Sequence, residues 1–464
     1  MQFSDKMTRT ELRSTISLAS IYGLRMLGMF LILPIFAVYA ETLKGGSNHT
    51  LIGLALGAYG LTQVLLQLPF GIASDKYGRK KLIYIGLILF IIGSVIAALA
   101  TDIYMVIFGR AIQGAGAVSA VVTALVADLT REEHRTKAMA MIGGTIGITF
   151  ALSLVAGPLL NQWIGVSGIF WMTAVLSFCA ILVVKYYVPD PVASHFHSDA
   201  QTAPSKMKAV LKDKQLLRLN FGTFSLHAAQ MAMFIVVPFA LTETSGMNVN
   251  AHWKIYLPVL AVSFVLMLPA IIIGEKRAKL KLVFIGAVAL MLVAQLMFAN
   301  TIHHFWGVVV SLLIYFTAFN ILEASLPSLI SKMAPAASKG TAMGIHSTAQ
   351  SFGVFLGAVV GGYLSHRFDY SAVFIFCSVL IGIWLVLTFG MITPPAVRTK
   401  MYHLNAFDEL QALSLANKVA QMDGVYEAVA IAQENMLIVK VNNQQGVERQ
   451  TLIEQNILKL IGSR

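Results

Sequence analysis

Charged residues are scarce in this sequence. Asp, Glu, Lys and Arg together make up 12% of its 464 residues, whereas 57% of the residues are hydrophobic. A soluble domain carries about 25% charged residues, so this shortage excludes an ordinary soluble domain and predicts a membrane protein. The net charge of +12 does not indicate a nucleic-acid partner, because basic residues collect in the cytoplasmic loops of membrane proteins.

Cysteine is rarer still. Cys179 and Cys377 are too far apart in the sequence to form a Cys-x-x-Cys motif. Because both lie in apolar runs, we expect them to be buried packing residues. The sequence also lacks a catalytic triad, a metal-ligand cluster and the phosphate-binding loop Gly-x-x-x-x-Gly-Lys-(Ser/Thr). We therefore predict no enzyme activity, no ATP-driven pump, no cofactor and no metal. Residues 1–15 are polar, so we expect no cleavable signal peptide.

Although charged residues are scarce, the sequence contains many long apolar runs. Twelve segments, called spans 1–12 here, each approach the ~20 residues needed to cross a bilayer. They lie near 16–40, 51–74, 82–100, 103–127, 138–160, 168–188, 219–242, 252–274, 282–299, 304–331, 340–364 and 371–392. Lipid offers the backbone no hydrogen-bond partners, so each span is predicted to be a helix.

The second six spans repeat features of the first six. Met29-Phe30 and Pro34 recur 204 residues later as Met233-Phe234 and Pro238. Such an ordered repeat predicts two parallel halves with a pathway between them. The predicted fold class is an all-α membrane protein with twelve transmembrane helices in two six-helix halves, residues 1–188 and 219–392, joined by a cytoplasmic linker at 189–218.

Lysine and arginine are unevenly distributed among the loops. The segment before span 1, the loops after even-numbered spans and the segment after span 12 are rich in them. The other loops hold little beyond Lys44, Lys254 and Arg367. The positive-inside rule therefore predicts that both termini are cytoplasmic. We expect a multi-pass protein of the cell inner (plasma) membrane, surrounded by the lipid bilayer.

One stretch between spans 2 and 3 has a distinctive spacing. Residues 71–82 read Gly-Ile-Ala-Ser-Asp-Lys-Tyr-Gly-Arg-Lys-Lys-Leu, in which Gly71 and Gly78 allow close helix approach and a tight turn. A generic basic turn would need charge, but not an aspartate between two glycines at this spacing. The stretch resembles the loop signature of the major facilitator superfamily, Gly-x-x-x-Asp-(Arg/Lys)-x-Gly-Arg-(Arg/Lys), and every fixed position is filled here.

This resemblance implies a conformational latch at the cytoplasmic ends of spans 2 and 4. The candidate latch residues are Gly71, Asp75, Gly78, Arg79, Lys80 and Asp128. By the same resemblance, the cluster is expected to hold spans 2, 4 and 11 together when the protein opens outward. Its charge pairs are expected to break in the inward-open state.

Arginines inside the spans are candidates for proton coupling or for a substrate cavity. A guanidinium there is costly unless it is paired or hydrated, which applies to Arg25 and Arg110. The stretch Arg110-x-x-Gln113-Gly114 resembles the superfamily's span 4 motif, whose arginine is linked to proton coupling. Arg110 is also near enough to the end of its span for the side chain to reach the interface, so both interpretations stay open.

Glu323 is the only carboxylate well inside a span. A carboxyl group in an apolar cavity is protonated more readily than one in water, which suits a proton carrier. A structural carboxylate bonded to a neighbouring helix is the alternative. His227 and His346 also lie within spans and either relay protons or form polar contacts between helices.

Span 5 contains a partial match to a second motif of the superfamily. The antiporter motif ends Gly-Pro-x-x-Gly-Gly, whereas the segment 157–162, Gly-Pro-Leu-Leu-Asn-Gln, keeps only the first pair. Gly147, Gly157 and Pro158 are expected to permit tight helix packing. Loss of the second glycine pair leaves the direction of transport open.

Residues 400–464 contain no span. Strands are predicted at Lys400–Leu404, Val425–Ala432 and Met436–Asn442, and helices at Phe407–Met422 and Val447–Ile461. The order β-α-β-β-α predicts a small cytoplasmic α+β ferredoxin-like domain with its last strand missing or shortened. Its layout is similar to that of heavy-metal-associated domains, without their Cys-x-x-Cys. A polar tether at Val397–Lys400 is expected to join it to span 12.

A domain of this kind after span 12 resembles the YajR-like branch of the drug–proton antiporter group. The segment 24–30, Leu-Arg-Met-Leu-Gly-Met-Phe, fits the same branch. The resemblance implies a proton-coupled secondary transporter that exports small amphipathic compounds by alternating access, with a small-molecule substrate and protons as its partners. The terminal domain is expected to act in regulation or assembly, through ligand binding or self-association.

Two other functions stay open from the sequence. Arg25 and Arg110 outnumber Glu323 inside the spans, which favours an organic-anion transporter working by uptake or exchange. A transporter-like membrane sensor, in which residues 400–464 bind a ligand, is the third hypothesis. Proton-driven flux in vesicles would separate transport from sensing.

Overall fold

Helices account for most of the structure, a computed structural model that describes residues 7–190, 201–276, 279–393, 397–404, 408–442 and 447–462. Each of the twelve spans is helical in this part of the chain. Their bounds are Arg9–Phe30 with Phe36–Ala40 (span 1), His49–Tyr77 (2), Arg79–Ala98 (3), Ile103–Ala115 with Ser119–Asp128 (4), Glu132–Tyr187 (5 and 6), Lys214–Ser245 (7), Trp253–Lys276 (8), Leu280–Thr301 (9), Phe305–Met333 (10), Lys339–Arg367 (11) and Tyr370–Phe389 (12). The predicted helical membrane fold is confirmed.

Of the described helices, ten are long and apolar enough to cross a membrane. One of them covers both spans 5 and 6, two helices that meet at Gly165, where the backbone is not helical and φ is +67°. Span 1 is not among the ten, because its serines, threonines and arginines lower its hydropathy. The ten candidates therefore correspond to spans 2–12, and the helices Arg9–Phe30 and Phe36–Ala40 make up span 1.

Span 7 begins earlier than the sequence indicated. Its helix starts at Lys214 rather than at 219, because the Asp213 side chain accepts hydrogen bonds from the backbone N–H groups of Gln215 and Leu216. An aspartate in this position satisfies backbone donors that would otherwise lack partners. The linker before it contains the helix Pro204–Lys212, and its residues 191–200 lie outside the described residues.

The bundle has two faces, named here by what they carry. The terminal face carries residue 7, the segment between spans 6 and 7, and residues 397–462; the distal face lies opposite. Spans 2 and 11 approach closely near the distal face. A Cβ added to Gly53 would lie 2.1 Å from the carbonyl oxygen of Ala358, and one added to Gly362 would lie 2.3 Å from that of His49. Glycine is required for backbones to approach so closely.

The two halves separate toward the terminal face. Gly143, Gly144 and Gly147 lie in the terminal half of span 5, and a Cβ added to any of them would meet no atom within 4 Å. Near the distal face, by contrast, the rings of His49 and Phe239 stack across the halves with centroids 5.0 Å apart. The described residues thus form a bundle that is closed at the distal face and open at the terminal face.

A cluster of phenylalanines, called the aromatic plug here, closes the centre of the bundle. The Phe150 ring of span 5 lies 5.2 Å from that of Phe30 and 5.6 Å from that of Phe319, between centroids. The rings of Phe234 and Phe316 each lie 6.3 Å from it. All five side chains are buried and they come from both halves. The plug therefore separates the distal face from the middle of the bundle.

Residues 397–462 form the expected α+β domain. Its elements are β1 (Val397–His403), a helix at Glu409–Ala420, β2 (Val425–Ile431), β3 (Met436–Asn442) and a helix at Val447–Gly462. The sheet order is β1-β3-β2 with both pairs antiparallel. This is the ferredoxin-like arrangement without a fourth strand beside β1 in the described residues, as predicted.

The expected tether at Val397–Lys400 is wrong, because these residues belong to β1. Val397 lies opposite Asn442 and Lys400 lies opposite Val439 in the antiparallel ladder. Pairing with β3 satisfies the backbone groups of this segment, which its polar sequence had suggested were hydrated. Residues 394–396, which precede the strand, lie outside the described residues.

One of the two cysteines also departs from expectation. Cys377 is buried as predicted, whereas Cys179 is exposed on the outer surface of span 6. Its neighbours Val175 and Phe178 are exposed as well, which marks this surface as lipid-facing. An apolar run in a membrane protein does not distinguish residues that face lipid from residues that face other helices.

The contact between spans 2 and 11 can be tested with a single methyl group. Gly53→Ala would place Cβ against the backbone of Ala358, so we expect a loss of stability of about 1–3 kcal/mol, as for other overpacked sites. Thermal unfolding of the purified protein in detergent measures the effect. Gly286→Ala is the matched control, because its Cβ would meet no atom within 4 Å. Equal unfolding temperatures for the two variants would contradict the close contact.

Candidate functional site

Arg79 is the centre of the predicted latch. It begins span 3 directly after Gly78, whose φ of +100° requires glycine. Its Nε donates to Asp128 Oδ2 at 3.1 Å and its Nη1 donates to Ser74 Oγ at 2.7 Å. Nη1 also contacts the carboxylate of Asp75. The Arg79 and Asp128 side chains are buried, so this pair joins the ends of spans 2, 3 and 4 away from solvent.

Two of the predicted latch residues lie apart from this cluster. The Lys80 ammonium instead pairs with Asp190 at 3.0 Å, near the end of span 6. Gly71 is not closely packed, because a Cβ added there would lie at an ordinary 3.8 Å from Ala120. Charge alone did not show which neighbour each basic residue contacts.

The latch pairs are intact in this structure, and their breaking in an inward-open state stays a prediction. Arg79 keeps both carboxylate partners, Asp75 and Asp128, although the halves are separated on that side. The reason is that all three residues belong to the same half. Opening separates one half from the other, so it can remove contacts with span 11 but not contacts within spans 2 to 4.

Arg25 and Arg110 lie on either side of the Tyr59 ring. Their Cζ atoms are 5.7 Å and 4.9 Å from the ring centroid, within cation–π range. Arg110 is 1% exposed, so its side chain does not reach an interface and the snorkelling alternative is wrong. It donates to Gln113 Oε1 at 2.8 Å, and Arg25 donates to Ser119 Oγ at 2.7 Å.

These two guanidinium groups are not neutralised in the described part of the chain. Arg25 Nε and Nη2 and Arg110 Nε have no hydrogen-bond partner there, and neither residue forms an ion pair. The hydroxyl of Tyr59 between them is also without a partner. The first half therefore holds positive charge near its centre with unused hydrogen-bond donors.

Glu323 and His227 meet in the second half. The Glu323 carboxylate of span 10 lies 3.4 Å from His227 Nε2 of span 7, and its side chain is 35% exposed. His227 Nδ1 lies 2.9 Å from the backbone oxygen of Thr223, and its Nε2 lies 2.8 Å from the Gln350 amide nitrogen of span 11. Three spans thus contribute to one site. Glu323 is one turn nearer the terminal face than Phe319 of the aromatic plug.

The hydrogen bonds of His227 indicate which of its ring nitrogens carries a hydrogen. A carbonyl oxygen can only accept, so Nδ1 carries a hydrogen, and Nε2 accepts from Gln350 in the neutral ring. The Nε2 lone pair and a Glu323 oxygen then face each other at 3.4 Å, which is favourable only with a proton between them. Protonating Nε2 instead requires Gln350 to turn its amide oxygen toward the ring. His227, Glu323 and Gln350 therefore form one polar site between spans 7, 10 and 11.

His346 lies beside this site without joining the pair. Its Nδ1 is 2.9 Å from Thr223 Oγ1, and Thr223 also provides the backbone oxygen that holds His227. The structure therefore links the two histidines through one threonine of span 7.

The predicted packing motif in span 5 is only partly close-packed. A Cβ added to Gly157 would lie 2.3 Å from the backbone oxygen of Leu31, so this position requires glycine. Pro158 follows it within the helix. Gly147 was expected to pack tightly, but it faces open space in this conformation, because the terminal halves of the spans are separated.

Sequence reasoning missed a buried carboxylate at the start of span 1. Glu11 Oε1 accepts from the backbone N–H of Arg131 at 3.0 Å and from its Nε at 2.9 Å, and Oε2 accepts from the backbone of Thr8 at 2.7 Å. Burial alone would raise the pKa of Glu11, but these hydrogen bonds outweigh it and lower the pKa to about 2. The Thr8-x-x-Glu11 capping box is the signal that could have found it.

The attachment of the terminal domain was also missed. Lys440 of β3 is buried, and its ammonium lies 2.8 Å from Glu427 Oε2 while donating to the backbone oxygen of Ala334. Glu427 Oε1 accepts from the Ala336 N–H at 3.0 Å. Ala334 and Ala336 lie in the turn between spans 10 and 11, where the end of a helix attracts a cation. We call this set the domain contact. β1 also contacts the Glu132–Tyr187 element.

Comparisons with known proteins show which family and which relatives this chain resembles. The model of the Major Facilitator Superfamily matches residues 18–358 and 281–416. The inner membrane transport protein YajR of Escherichia coli (strain K12) is 41% identical over 453 residues, 97% of this chain and 98% of that protein. The quinolone resistance protein NorA of Staphylococcus aureus (strain COL) is 25% identical over 355 residues, 73% of this chain and 86% of that protein.

A solved structure shows the same fold. The human organic anion transporter MFSD10 (TETRAN) superposes with a TM-score of 0.62 at 18% identity, covering 82% of this chain and 99% of that one.

Neutralising either carboxylate beside Arg79 is expected to lower the stability of the protein, but by different amounts. Asp128→Asn leaves a buried guanidinium without its buried partner and should destabilise the protein by about 3–5 kcal/mol. Asp75 is 46% exposed, so Asp75→Asn should cost only about 0–1 kcal/mol and leave membrane abundance normal while reducing flux. Thermal unfolding, abundance and flux, measured together, check this order. Equal stability of both variants, or full flux in Asp75→Asn, would contradict it.

Proposed function

The chain belongs to the major facilitator superfamily, and on this basis we propose that it is a proton-coupled secondary transporter that exports small amphipathic compounds by alternating access. The observation that carries the proposal is the contact between His227 and Glu323, a titratable pair at the centre of the bundle. The pair lies on the terminal side of the aromatic plug, so only one face reaches it in this conformation. Access from one face at a time is what couples proton movement to substrate movement.

The terminal face is proposed to be the cytoplasmic face of an inner membrane. Its loops carry most of the lysines and arginines outside the spans, as the positive-inside rule requires, and the relative YajR is described as an inner membrane transport protein. The conformation is then inward-open. Residues 1–188 and 219–392 are the proposed moving halves, with the linker 189–218 and the domain at 400–464 on the cytoplasmic side.

A transport cycle follows from this orientation. In the inward-open state the His227–Glu323 pair releases its proton to the cytoplasm, and an amphipathic compound enters the space between the halves. When the halves rock, the pair faces the opposite side, takes up a proton and favours departure of the compound. The name of the relative NorA, a quinolone resistance protein, supports drug-like cargo. The latch around Arg79 would add contacts with span 11 only in the outward-open state.

Transport of an organic anion is the second candidate, and a specific observation favours it. The unused donors of Arg25 and Arg110 lie on either side of Tyr59 without a carboxylate among the described residues. A carboxylate or sulfonate entering from the open face would supply the missing partner. Proton release from vesicles containing only the purified protein, across cationic, neutral and anionic compounds, separates the candidates. Ligand binding without any flux would instead favour a sensor.

Removing the charge of Glu323 tests the proposed coupling. Glu323→Gln cannot exchange a proton, so proton-driven accumulation of substrate in vesicles should fall to the level of empty vesicles while substrate binding is retained. Glu409→Gln, on an exposed helix of the terminal domain, is the control and should transport normally. If Glu323→Gln still concentrates substrate against a gradient, Glu323 is not the proton carrier.

The terminal domain is proposed to regulate transport through the domain contact. Lys440→Met leaves Glu427 without its ammonium partner, so the domain should detach from the turn and the transport rate should change without being abolished. Lys418→Met, exposed on the first domain helix, is the control and should behave as wild type. A chain ending at Thr393 should likewise insert and transport. Flux, abundance and protease sensitivity are the measurements, and complete loss of flux by abundant truncated protein would contradict a peripheral role.

A further inference from the structure

A cleft at the terminal face lies between the beginning of span 1 and the end of span 6. Its volume is ≈ 280 Å³, and its lining includes Arg9, Arg13, Ser14, Tyr186 and Tyr187. No carboxylate lines it among the described residues. The cleft therefore concentrates positive charge and hydroxyl groups at one place on the surface of the first half.

The polar groups of the cleft lack partners within the protein. Ser14 is 1% exposed, and its Oγ has no hydrogen-bond partner. Arg9 and Arg13 form no ion pair in the described part of the chain, and the Arg13 guanidinium lies 5.1 Å from the Tyr187 ring centroid. Stacking on an aromatic ring leaves the edge of a guanidinium free to bind an oxyanion. The carboxylates nearest in sequence to the lining are Glu11, which is bound to Arg131, and Asp190, which pairs with Lys80.

The cleft also lies where two apolar stripes end. On span 1, Leu12 and Ile16 are exposed and follow Arg9 and Arg13 on the same helix face. On span 6, an exposed stripe runs toward Tyr186 through Trp171, Val175, Phe178 and Leu182. These stripes face lipid tails, and tyrosines at the end of a span mark the depth of the headgroups.

We propose that this cleft binds the phosphate of an anionic phospholipid, whose acyl chains lie along the exposed stripes of spans 1 and 6. A phosphodiester supplies the acceptors that Arg9, Arg13 and Ser14 lack. A free phosphate would satisfy the polar groups, but the apolar stripes would then contribute nothing to binding. A zwitterionic lipid brings its own ammonium into a cleft that already holds two arginines. The site is separate from the proposed transport pathway and does not depend on it.

Lipid binding to the intact protein tests this assignment. The full-length chain, purified in detergent, is titrated with phosphatidylglycerol or phosphatidylcholine, and bound lipid is counted by native mass spectrometry. Wild type should prefer phosphatidylglycerol. The double variant Arg9→Gln/Arg13→Gln should bind it about thirtyfold more weakly, given the usual contribution of each basic residue at a membrane surface. Ser14→Ala keeps both charges and should weaken binding by about fivefold through the lost hydrogen bond.

A matched double variant tests whether the lipid binds in the cleft itself or is only attracted by positive charge on the protein surface. Lys208→Gln/Lys212→Gln removes the same charge from exposed positions in the linker helix, outside the cleft, and should change binding by less than about twofold. Equal losses for both double variants would overturn the proposal, as would unchanged binding in Ser14→Ala. Inorganic phosphate that binds with the same affinity and the same dependence on Arg9 and Arg13 would assign the cleft to a free oxyanion instead. Unchanged unfolding temperatures confirm that each variant is folded.

Discussion

The close approach of spans 2 and 11 decides which face of the protein is open. Their backbones meet at Gly53 and Gly362, where no side chain larger than hydrogen fits. Closing the bundle at this end forces the opposite ends of the two halves apart, which leaves Gly147 facing open space and Glu323 partly exposed. Access to the His227–Glu323 pair is therefore set by a backbone contact near the distal face.

The main ion pairs of the helical bundle join residues of the same half. Arg79 with Asp128, Glu11 with Arg131, and His227 with Glu323 are contacts within one half. Such pairs survive a rocking motion and keep each half rigid. On this basis a rocking motion alone would not break the ion pairs of the latch. Its energy difference between states must come from the surface that the rigid cluster presents to span 11.

The sequence was sufficient for the spans, the terminal domain and the identity of the charged residues inside the membrane, because apolar length and strand alternation are local properties. The repeat of Phe30 as Phe234 even corresponded to two rings of one plug. The residue that each charged side chain contacts could not be predicted from local sequence in the same way. Lys80 binding Asp190, Lys440 binding Glu427 and Cys179 facing outward depend on how helices turn and where domains dock. These are properties of packing, which local pattern does not determine.

The domain contact and the His227–Glu323 site share two helices, which would give the proposed regulation a physical route. The domain holds the turn at Ala334 and Ala336, and the two spans that leave this turn carry Glu323 and Gln350. Eleven helical residues from Ala334 to Glu323 correspond to about 16 Å, along a rigid helix. A shift of the turn therefore moves Glu323 and Gln350 relative to His227 of span 7, which does not contain the turn. The same displacement changes the His227–Glu323 and His227–Gln350 contacts, on which the proposed coupling depends.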